Sequence, residues 1–280
     1  MPIFEARDGT RLYYRDTPAA AADAPVVLAL AGLTRTQGDF DYVAPHMTHC
    51  RLVRMDYRGR GNSAWADPAS YTILQEANDA LDLLDHLGIP AAAILGTSRG
   101  GLIAMTLAAL AKDRLTGVCL NDIGPDIAPA GFDAIRGYLG RRPAARTHCE
   151  AAQMRAGLMA GFANVPDSRW VEEVHLHYRQ TADGLDITYD PALRQAVLDP
   201  LDDPDRPDID LWPLFDAFAG LPLALIRGAN SDLLTRDTAA EMARRRSDMI
   251  WAEVPDRGHV PFLDEAEALE ALHTWIAKLP

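Results

Sequence analysis

Short apolar runs alternate with longer segments of helical periodicity along most of this chain of 280 residues, and this alternation constrains the fold more than any other feature. Strands that alternate with helices pack as a mostly parallel sheet with helices on both faces. The first two apolar runs flank Asp8-Gly9, a dipeptide suited to a tight reversal, and they predict a hairpin. The predicted strands lie at residues 3–6, 12–15, 26–30, 52–55, 92–95, 115–120, 223–226 and 249–254, and the predicted helices at residues 71–87, 98–111, 235–246 and 261–278.

The alternation stops near residue 124 and resumes near residue 221. The sequence in between is more polar, has mostly helical spacing and contains clusters of proline and aspartate. It is much longer than an ordinary connection between two elements. We therefore predict one α/β core, formed by residues 1–123 and 222–280, with a helical insertion at residues 124–221.

Charge and composition exclude several classes of partner. The formal net charge of −13 at pH 7 argues against the basic surface that nucleic acids and anionic membranes require. No apolar run reaches the roughly 18 residues of a membrane span, and the N-terminus lacks the pattern of a signal peptide. Cys50, Cys119 and Cys149 form no C-x-x-C pair, as is typical of proteins in a reducing cytosol. We expect a cytoplasmic protein whose partner is a small-molecule substrate, and a homodimer is compatible with the sequence.

A serine lies at the junction of a predicted strand and a predicted helix, in the segment GTSRGG at residues 96–101. A serine at such a junction sits on a sharp turn, where glycines let the helix and strand backbones approach closely. The turn exposes the hydroxyl at the end of the sheet, and the N–H groups at the start of the helix point toward developing negative charge. This pattern predicts that Ser98 is a nucleophile.

A serine hydroxyl becomes a good nucleophile only when a base takes its proton. His259, in the segment DRGHVPF, lies between the last predicted strand and the last predicted helix, and therefore at the same edge of the sheet as Ser98. His175 and His177 have no matching cluster of cysteines or carboxylates, so no metal site is predicted. We predict that His259 is the general base.

The third member of such a site is a carboxylate after another strand, which orients the imidazole. Asp232, in the segment RGANSD, follows the predicted strand at residues 223–226. Asp122, in the segment NDIGP, follows the strand at residues 115–120 and is the alternative. We predict Asp232 as the orienting acid.

Four segments, in this order along the chain, resemble the α/β-hydrolase fold superfamily: DYRGRGNS at residues 56–63, the GTSRGG segment, RGANSD and GHVPFL. The resemblance covers nearly the whole chain. It implies an α/β-hydrolase fold with an eight-stranded, mostly parallel sheet, a helical lid at the insertion, and no cofactor. In the superfamily the oxyanion hole takes one amide from the residue after the nucleophile, here Arg99. The other comes from the loop after the third strand, where this chain has AGL instead of the usual HG-x, so that Leu33 supplies it.

The resemblance further implies a serine hydrolase that cleaves an ester or lactone of a small, largely apolar substrate through an acyl-enzyme. Hydrolysis of a C–C bond in ring-fission diketones, acyl transfer to another acceptor, and a ligand receptor on the same scaffold are the alternatives. Arg35 lies beside the predicted oxyanion loop and is a candidate for binding a substrate carboxylate. In the competing interpretation, Arg35 and Arg99 each pair with a local acid, with Asp122 as the candidate partner of Arg99.

Overall fold

The computed structural model describes residues 2–159, 161–205 and 209–280. Within these ranges, eight strands form one sheet, and two more form a separate hairpin. The strands are β1 (Ile3–Glu5), β2 (Arg11–Thr17), β3 (Val26–Leu30), β4 (Arg51–Met55), β5 (Ala92–Thr97), β6 (Leu115–Asn121), β7 (Tyr178–Thr181), β8 (Gly184–Ile187), β9 (Leu223–Gly228) and β10 (Ile250–Val254). The helices are α1 (Ile73–His86), α2 (Arg99–Leu110), α3 (Pro129–Tyr138), α4 (His148–Leu158), α5 (Asp167–His177), α6 (Leu193–Asp202), α7 (Trp212–Asp216), α8 (Arg236–Arg245) and α9 (Ala266–Ile276).

The strand order in the large sheet is β1-β2-β4-β3-β5-β6-β9-β10. Strand β2 pairs antiparallel with both of its neighbours, and every other pair in this sheet is parallel. Parallel strands need crossover connections, which helices supply here, and their carboxyl ends meet at one edge of the sheet. The predicted fold class is therefore confirmed.

Helices cover both faces of the sheet because its central strands are buried on both faces. Leu28 and Leu30 of β3 pack into a hydrophobic cluster with residues of α1 and α2. Val27 and Ala29 of the same strand pack into a second cluster, which contains Trp275 of α9. Each fully buried Val or Leu contributes about 1.5–3 kcal/mol, so these strands anchor the fold. No helix among the described residues has the length and apolar composition needed to cross a membrane.

Residues 122–222 connect β6 to β9 and carry α3 to α7 together with the hairpin of β7 and β8. The sequence analysis predicted mostly helices in this segment, and it did not predict the hairpin of β7 and β8. Tyr178 follows the last residue of α5 directly, and Gly184 has a φ of 128°, which side-chain-bearing residues rarely adopt. The segment is tied to the core where Arg60 and Tyr189 form an isolated β-bridge.

The last helix begins at Ala266 and not at residue 261, as the periodicity predicts. Glu265 accepts hydrogen bonds from the backbone N–H groups of Phe262 (3.0 Å) and Leu263 (2.9 Å), which holds the preceding residues as a loop. Arg257 donates to the same carboxylate at 2.7 Å. The loop that carries His259 is therefore fixed on both sides by one acidic residue.

Candidate active site

Ser98, Asp122 and His259 meet at the carboxyl ends of β5, β6 and β10. His259 Nε2 lies 2.9 Å from Ser98 Oγ, and His259 Nδ1 lies 2.7 Å from Asp122 Oδ2. The Asp122 carboxylate is fully buried, whereas 21% of the imidazole is exposed. A carboxylate can only accept, so Nδ1 carries the ring proton and Nε2 is free to accept the proton of Ser98. The structure therefore places Ser98 Oγ within hydrogen-bond distance of an imidazole nitrogen that can accept its proton.

The prediction of Asp232 as the orienting acid is wrong, because Asp122 holds the imidazole. Asp232 is exposed, and no hydrogen bond joins it to His259 in the part of the chain that the structure describes. Asp122 follows β6, the immediate neighbour of β5, whereas Asp232 follows β9, one strand farther from Ser98. Asp122 also has a φ of 55°, a left-handed conformation that aspartate tolerates better than most residues.

The loop after β9 contributes to the site through Ser231, which the sequence analysis missed. Ser231 Oγ donates to Asp122 Oδ2 at 2.6 Å, and the Gly228 N–H donates to Asp122 Oδ1 at 2.8 Å. The hydroxyl in turn accepts from the backbone N–H of Leu234 at 3.1 Å, which fixes its direction. Both oxygens of the buried carboxylate therefore have donors besides His259. A hydroxyl residue directly before the predicted acid was the only available signal.

The turn at Ser98 has the strained geometry that its sequence predicts. Ser98 has a φ of 51° and a ψ of −113°, outside the regions that most residues adopt. A Cβ atom added at Gly100 would lie 2.0 Å from the Leu30 carbonyl oxygen, and one added at Gly96 would lie 2.7 Å from the Gly100 carbonyl carbon. Any side chain at these two glycines would therefore push α2 away from the sheet and displace the hydroxyl.

The loop after β3, residues 31–35, runs beside Ser98 and is called the oxyanion loop below, after its predicted role. A Cβ atom added at Gly32 would lie 3.9 Å from Ser98 Cβ and 3.2 Å from Arg35 Cγ. Arg99 is the first residue of α2, so its N–H has no acceptor one turn earlier in the helix. This geometry is compatible with the amides of Leu33 and Arg99 as oxyanion donors, and that role stays a prediction.

The Arg99 side chain is bound to α1 and to the residues just before it. It pairs with the fully buried Glu76 at 2.5 Å and donates to the Tyr71 carbonyl oxygen at 3.0 Å. Arg60 pairs with the same Glu76 carboxylate at 2.9 Å and donates to the Leu33 carbonyl oxygen at 3.1 Å. The interpretation in which Arg99 pairs with a local acid therefore has the correct form, but the acid is Glu76 and not Asp122. Arg60 also ties the DYRGRGNS segment to the oxyanion loop.

Arg35 belongs to a buried cluster with four side chains that the sequence analysis did not combine. Its Nη1 donates to His177 Nδ1 at 2.9 Å and to Glu173 Oε2 at 3.3 Å, and its Nε lies 3.7 Å from Asp39 Oδ2. Arg155 Nη2 donates to the same Glu173 oxygen at 3.3 Å. Because a guanidinium only donates, His177 Nδ1 must accept, and Nε2–H then donates to Asp39 Oδ1 at 3.3 Å.

Burial and the two guanidinium groups set the protonation states of this cluster. Burial, together with the positive charges of Arg35 and Arg155, lowers the pKa of His177 well below its usual value of 6.5, so the imidazole is neutral at neutral pH. Burial raises the pKa of Asp39 from 3.8 to about 7, against the opposing effect of Arg35. Asp39 therefore loses its proton in the physiological range, and the charge of the cluster changes there.

A small cavity of about 20 Å³, which has room for about one water molecule, lies next to residues adjacent in the chain to Ser98, Asp122 and His259. Its wall includes Thr97, Asn121 and Val260, the chain neighbours of Ser98, Asp122 and His259. Its charged lining residues are Arg35, Asp39 and Glu173, and the other lining residues are aromatic or aliphatic. The latter are Phe40, Tyr42, Met159, Phe162, Pro261, Phe262 and Leu263.

Residues 14–272 match the model of the alpha/beta hydrolase family. With the sheet order and the turn at Ser98, this match defines the class: the chain belongs to the alpha/beta hydrolase family and is a hydrolase. A 3-hydroxybutyrate-oligomer hydrolase of Cupriavidus necator is 38% identical over an alignment of 256 positions, which covers 88% of this chain and 86% of that protein. The crystal structure of an alpha/beta hydrolase from Novosphingobium aromaticivorans superimposes with a TM-score of 0.90 at 33% identity, covering 99% of this chain and 98% of that one. The enol-lactonase from Burkholderia xenovorans shares the fold, with a TM-score of 0.73 at 21% identity, and covers 99% of this chain and 100% of its own.

Proposed function

We propose that this hydrolase cleaves carboxylic esters of small substrates through an acyl-enzyme on Ser98. The observation that carries the proposal is the continuous hydrogen-bonded series from Asp122 through His259 to Ser98. Such a series activates a hydroxyl that is otherwise a weak nucleophile. The relative from Cupriavidus necator supports ester chemistry, because oligomers of a hydroxy acid are joined through ester bonds.

In the first half of the reaction, Ser98 Oγ attacks the ester carbonyl carbon while His259 Nε2 takes the hydroxyl proton. Asp122 stabilises the resulting imidazolium and keeps the ring in its orientation. The amides of Leu33 and Arg99 donate to the oxygen that becomes negative, a contribution of about 2.7–4 kcal/mol per donor in comparable sites. His259 then passes the proton to the leaving alkoxide, and the alcohol departs.

In the second half, a water molecule takes the place of the alcohol beside His259. The imidazole removes a proton from this water, and the hydroxide attacks the acyl-enzyme carbonyl. When the tetrahedral intermediate collapses, the acid is released and the proton returns to Ser98 Oγ. Every step uses groups that the chain itself supplies.

The division into a core (residues 1–123 and 222–280) and a lid (residues 124–221) is part of the proposal. The cavity beside the catalytic residues has one wall from the core, with Phe40 and Phe262, and another from the inserted segment, with Met159 and Phe162. A segment that closes such a cavity excludes water and shapes the substrate site. We assign this role to the insertion.

The test is hydrolysis of p-nitrophenyl esters of increasing acyl length by the wild type and by Ser98→Ala. Ser247→Ala is the matched control, because Ser247 is exposed and lies far along the chain, after α8. We expect turnover by the wild type and the control, and its loss in Ser98→Ala. Cleavage of a ring-fission diketone, with none of any ester, would contradict ester hydrolysis and assign C–C bond cleavage to the same serine.

A further inference from the structure

The charged cluster between the oxyanion loop and the inserted segment has no task in the acyl-transfer steps. Its members are Arg35, Asp39, Arg155, Glu173 and His177, and no more than 21% of any of these side chains is exposed. Removing charges from water costs several kcal/mol per ion. Stability alone is a weak reason to bury two guanidinium groups, one of them on the loop next to Ser98, so a ligand is the more direct explanation.

The two arginines are not fully satisfied by their protein partners. One oxygen, Oε2 of Glu173, accepts from both Arg35 and Arg155. Arg155 Nε is buried and, within the described residues, has no acceptor. A buried donor on a cation that lacks an acceptor is costly, and an oxygen of a bound anion would supply one.

The charge balance of the cluster also favours an anion. Two guanidinium groups face the carboxylate of Glu173 and the carboxyl group of Asp39, whose pKa is about 7. His177 contributes no charge, since burial holds its pKa well below 6.5. Whenever Asp39 carries its proton, the cluster therefore has one uncompensated positive charge.

The position of the cluster indicates which anion fits. The stem of Arg35 packs against Gly32 on the side of Ser98, and Arg35 also lines the cavity. The apolar wall, with Met159 and Phe162, lies in the same cavity. An anion held by Arg35 therefore lies near Ser98 and next to apolar side chains.

We propose that Arg35 and Arg155 form a carboxylate subsite next to the oxyanion loop, through which the enzyme selects esters whose alcohol part carries a free carboxylate a few bonds from the scissile ester oxygen. The subsite rests on the proposed ester hydrolysis and specifies its substrate class: short oligomers of hydroxy acids that end in a carboxylate. A planar guanidinium binds a carboxylate through two parallel hydrogen bonds, which gives direction as well as affinity.

The test compares the linear dimer of 3-hydroxybutyrate with its methyl ester, which contains the same internal ester bond without the negative charge. Cleavage of that bond is followed by chromatography for the wild type, Arg155→Gln and Arg142→Gln. Arg155 is chosen because Arg35 supports the oxyanion loop. Arg142 is the control, an exposed arginine of the inserted segment that pairs with Asp186 outside the cluster.

We expect the wild type and Arg142→Gln to prefer the free acid in kcat/KM by about 10- to 100-fold, the value of one charged hydrogen bond or two. In Arg155→Gln this preference should fall by about tenfold or more. Equal kcat/KM for both compounds in the wild type, or an unchanged preference in a folded Arg155→Gln, would overturn the subsite and leave ester hydrolysis standing.

Binding of the same two compounds to Ser98→Ala, measured by calorimetry, makes the comparison without turnover. Tighter binding of the free acid, lost when Arg155→Gln is added, supports the subsite even if no ester is cleaved. Equal dissociation constants overturn it. A failure of ester hydrolysis is therefore distinguishable from a failure of carboxylate recognition.

Discussion

Two aspartates that look equivalent in sequence differ in the structure by their distance from one imidazole. Asp122 and Asp232 each follow a parallel strand at the catalytic edge of the sheet. Only Asp122 reaches His259 Nδ1, at 2.7 Å, and it is fully buried while Asp232 is exposed. Which aspartate holds the imidazole depends on how the turns after β6 and β9 direct their side chains. The periodicity of the strands does not predict the geometry of these turns.

The substitution Asp122→Asn should lower kcat for ester hydrolysis by about 10³- to 10⁴-fold, because an amide can hold the imidazole in the wrong tautomer. Asp232→Asn, the matched control, should retain wild-type kcat. Initial rates on a p-nitrophenyl ester decide between them. The opposite ranking of the two variants would restore Asp232 as the acid.

Ser231 is a positioning residue, because it acts on the substrate only through Asp122 and His259. Its hydroxyl donates to Asp122 at 2.6 Å. Ser231→Ala should lower kcat by about tenfold, as expected for one hydrogen bond to a charged group, and leave KM nearly unchanged. Ser231→Thr keeps the hydroxyl and should recover most of the loss. A rise in KM without a fall in kcat, or a threonine variant as slow as the alanine variant, would indicate a merely structural role.

At the scale of elements, α4 and α5 of the inserted segment complete a site that the core begins. The loop after β3 carries Arg35 and Asp39, and α5 places Glu173 and His177 against them. Burial is the main cause of the raised pKa of Asp39, and the negative charge of Glu173 on α5 raises it further. The charged and titratable groups that face Asp39 are Arg35, Asp56, Arg155, Glu173 and His177.

This arrangement predicts that the preference for a free carboxylate depends on pH. Below about pH 7 Asp39 is mostly neutral and the cluster is positive, whereas above it the new negative charge repels the substrate anion. The ratio of kcat/KM for the free-acid dimer to that for its methyl ester should therefore fall by about tenfold between pH 5.5 and 8.5. Groups whose titration changes kcat/KM equally for both compounds, such as His259, do not affect this ratio.

Asp39→Asn is the control for this pH dependence. An amide of the same shape cannot ionise, so the ratio should stay high and flat across the same range. A ratio that falls equally in the wild type and in Asp39→Asn would show that another group is responsible.

At the scale of the whole molecule, the sequence predicted those features that depend on residues close together in the chain. Runs such as residues 92–95 and 223–226 became β5 and β9 because buried parallel strands are apolar on both faces. The turn at Ser98 was predictable because Gly96 and Gly100 leave no room for side chains. His259 followed from its position after the last strand.

The parts that the sequence did not predict depend on contacts between distant segments. The hairpin of β7 and β8 lies in polar sequence without a clear period of two. Arg35 contacts Glu173 and His177, which lie 138 and 142 positions away in the chain. The sequence around Arg35 does not predict these contacts. Such long-range pairs arise only once the inserted segment has folded against the core.

Because Asp122 is the acid that holds the imidazole, the three residues of the site are spaced unevenly along the gene. Nucleophile and acid both belong to the unit of β5, α2 and β6, and the Ser98 N–H donates to the Asn121 carbonyl oxygen at 3.0 Å. His259, in contrast, lies 161 positions from Ser98 and 137 from Asp122. Two of the three partners are therefore encoded in one short stretch of the gene, and only His259 has to be brought to them from a distant segment when the chain folds.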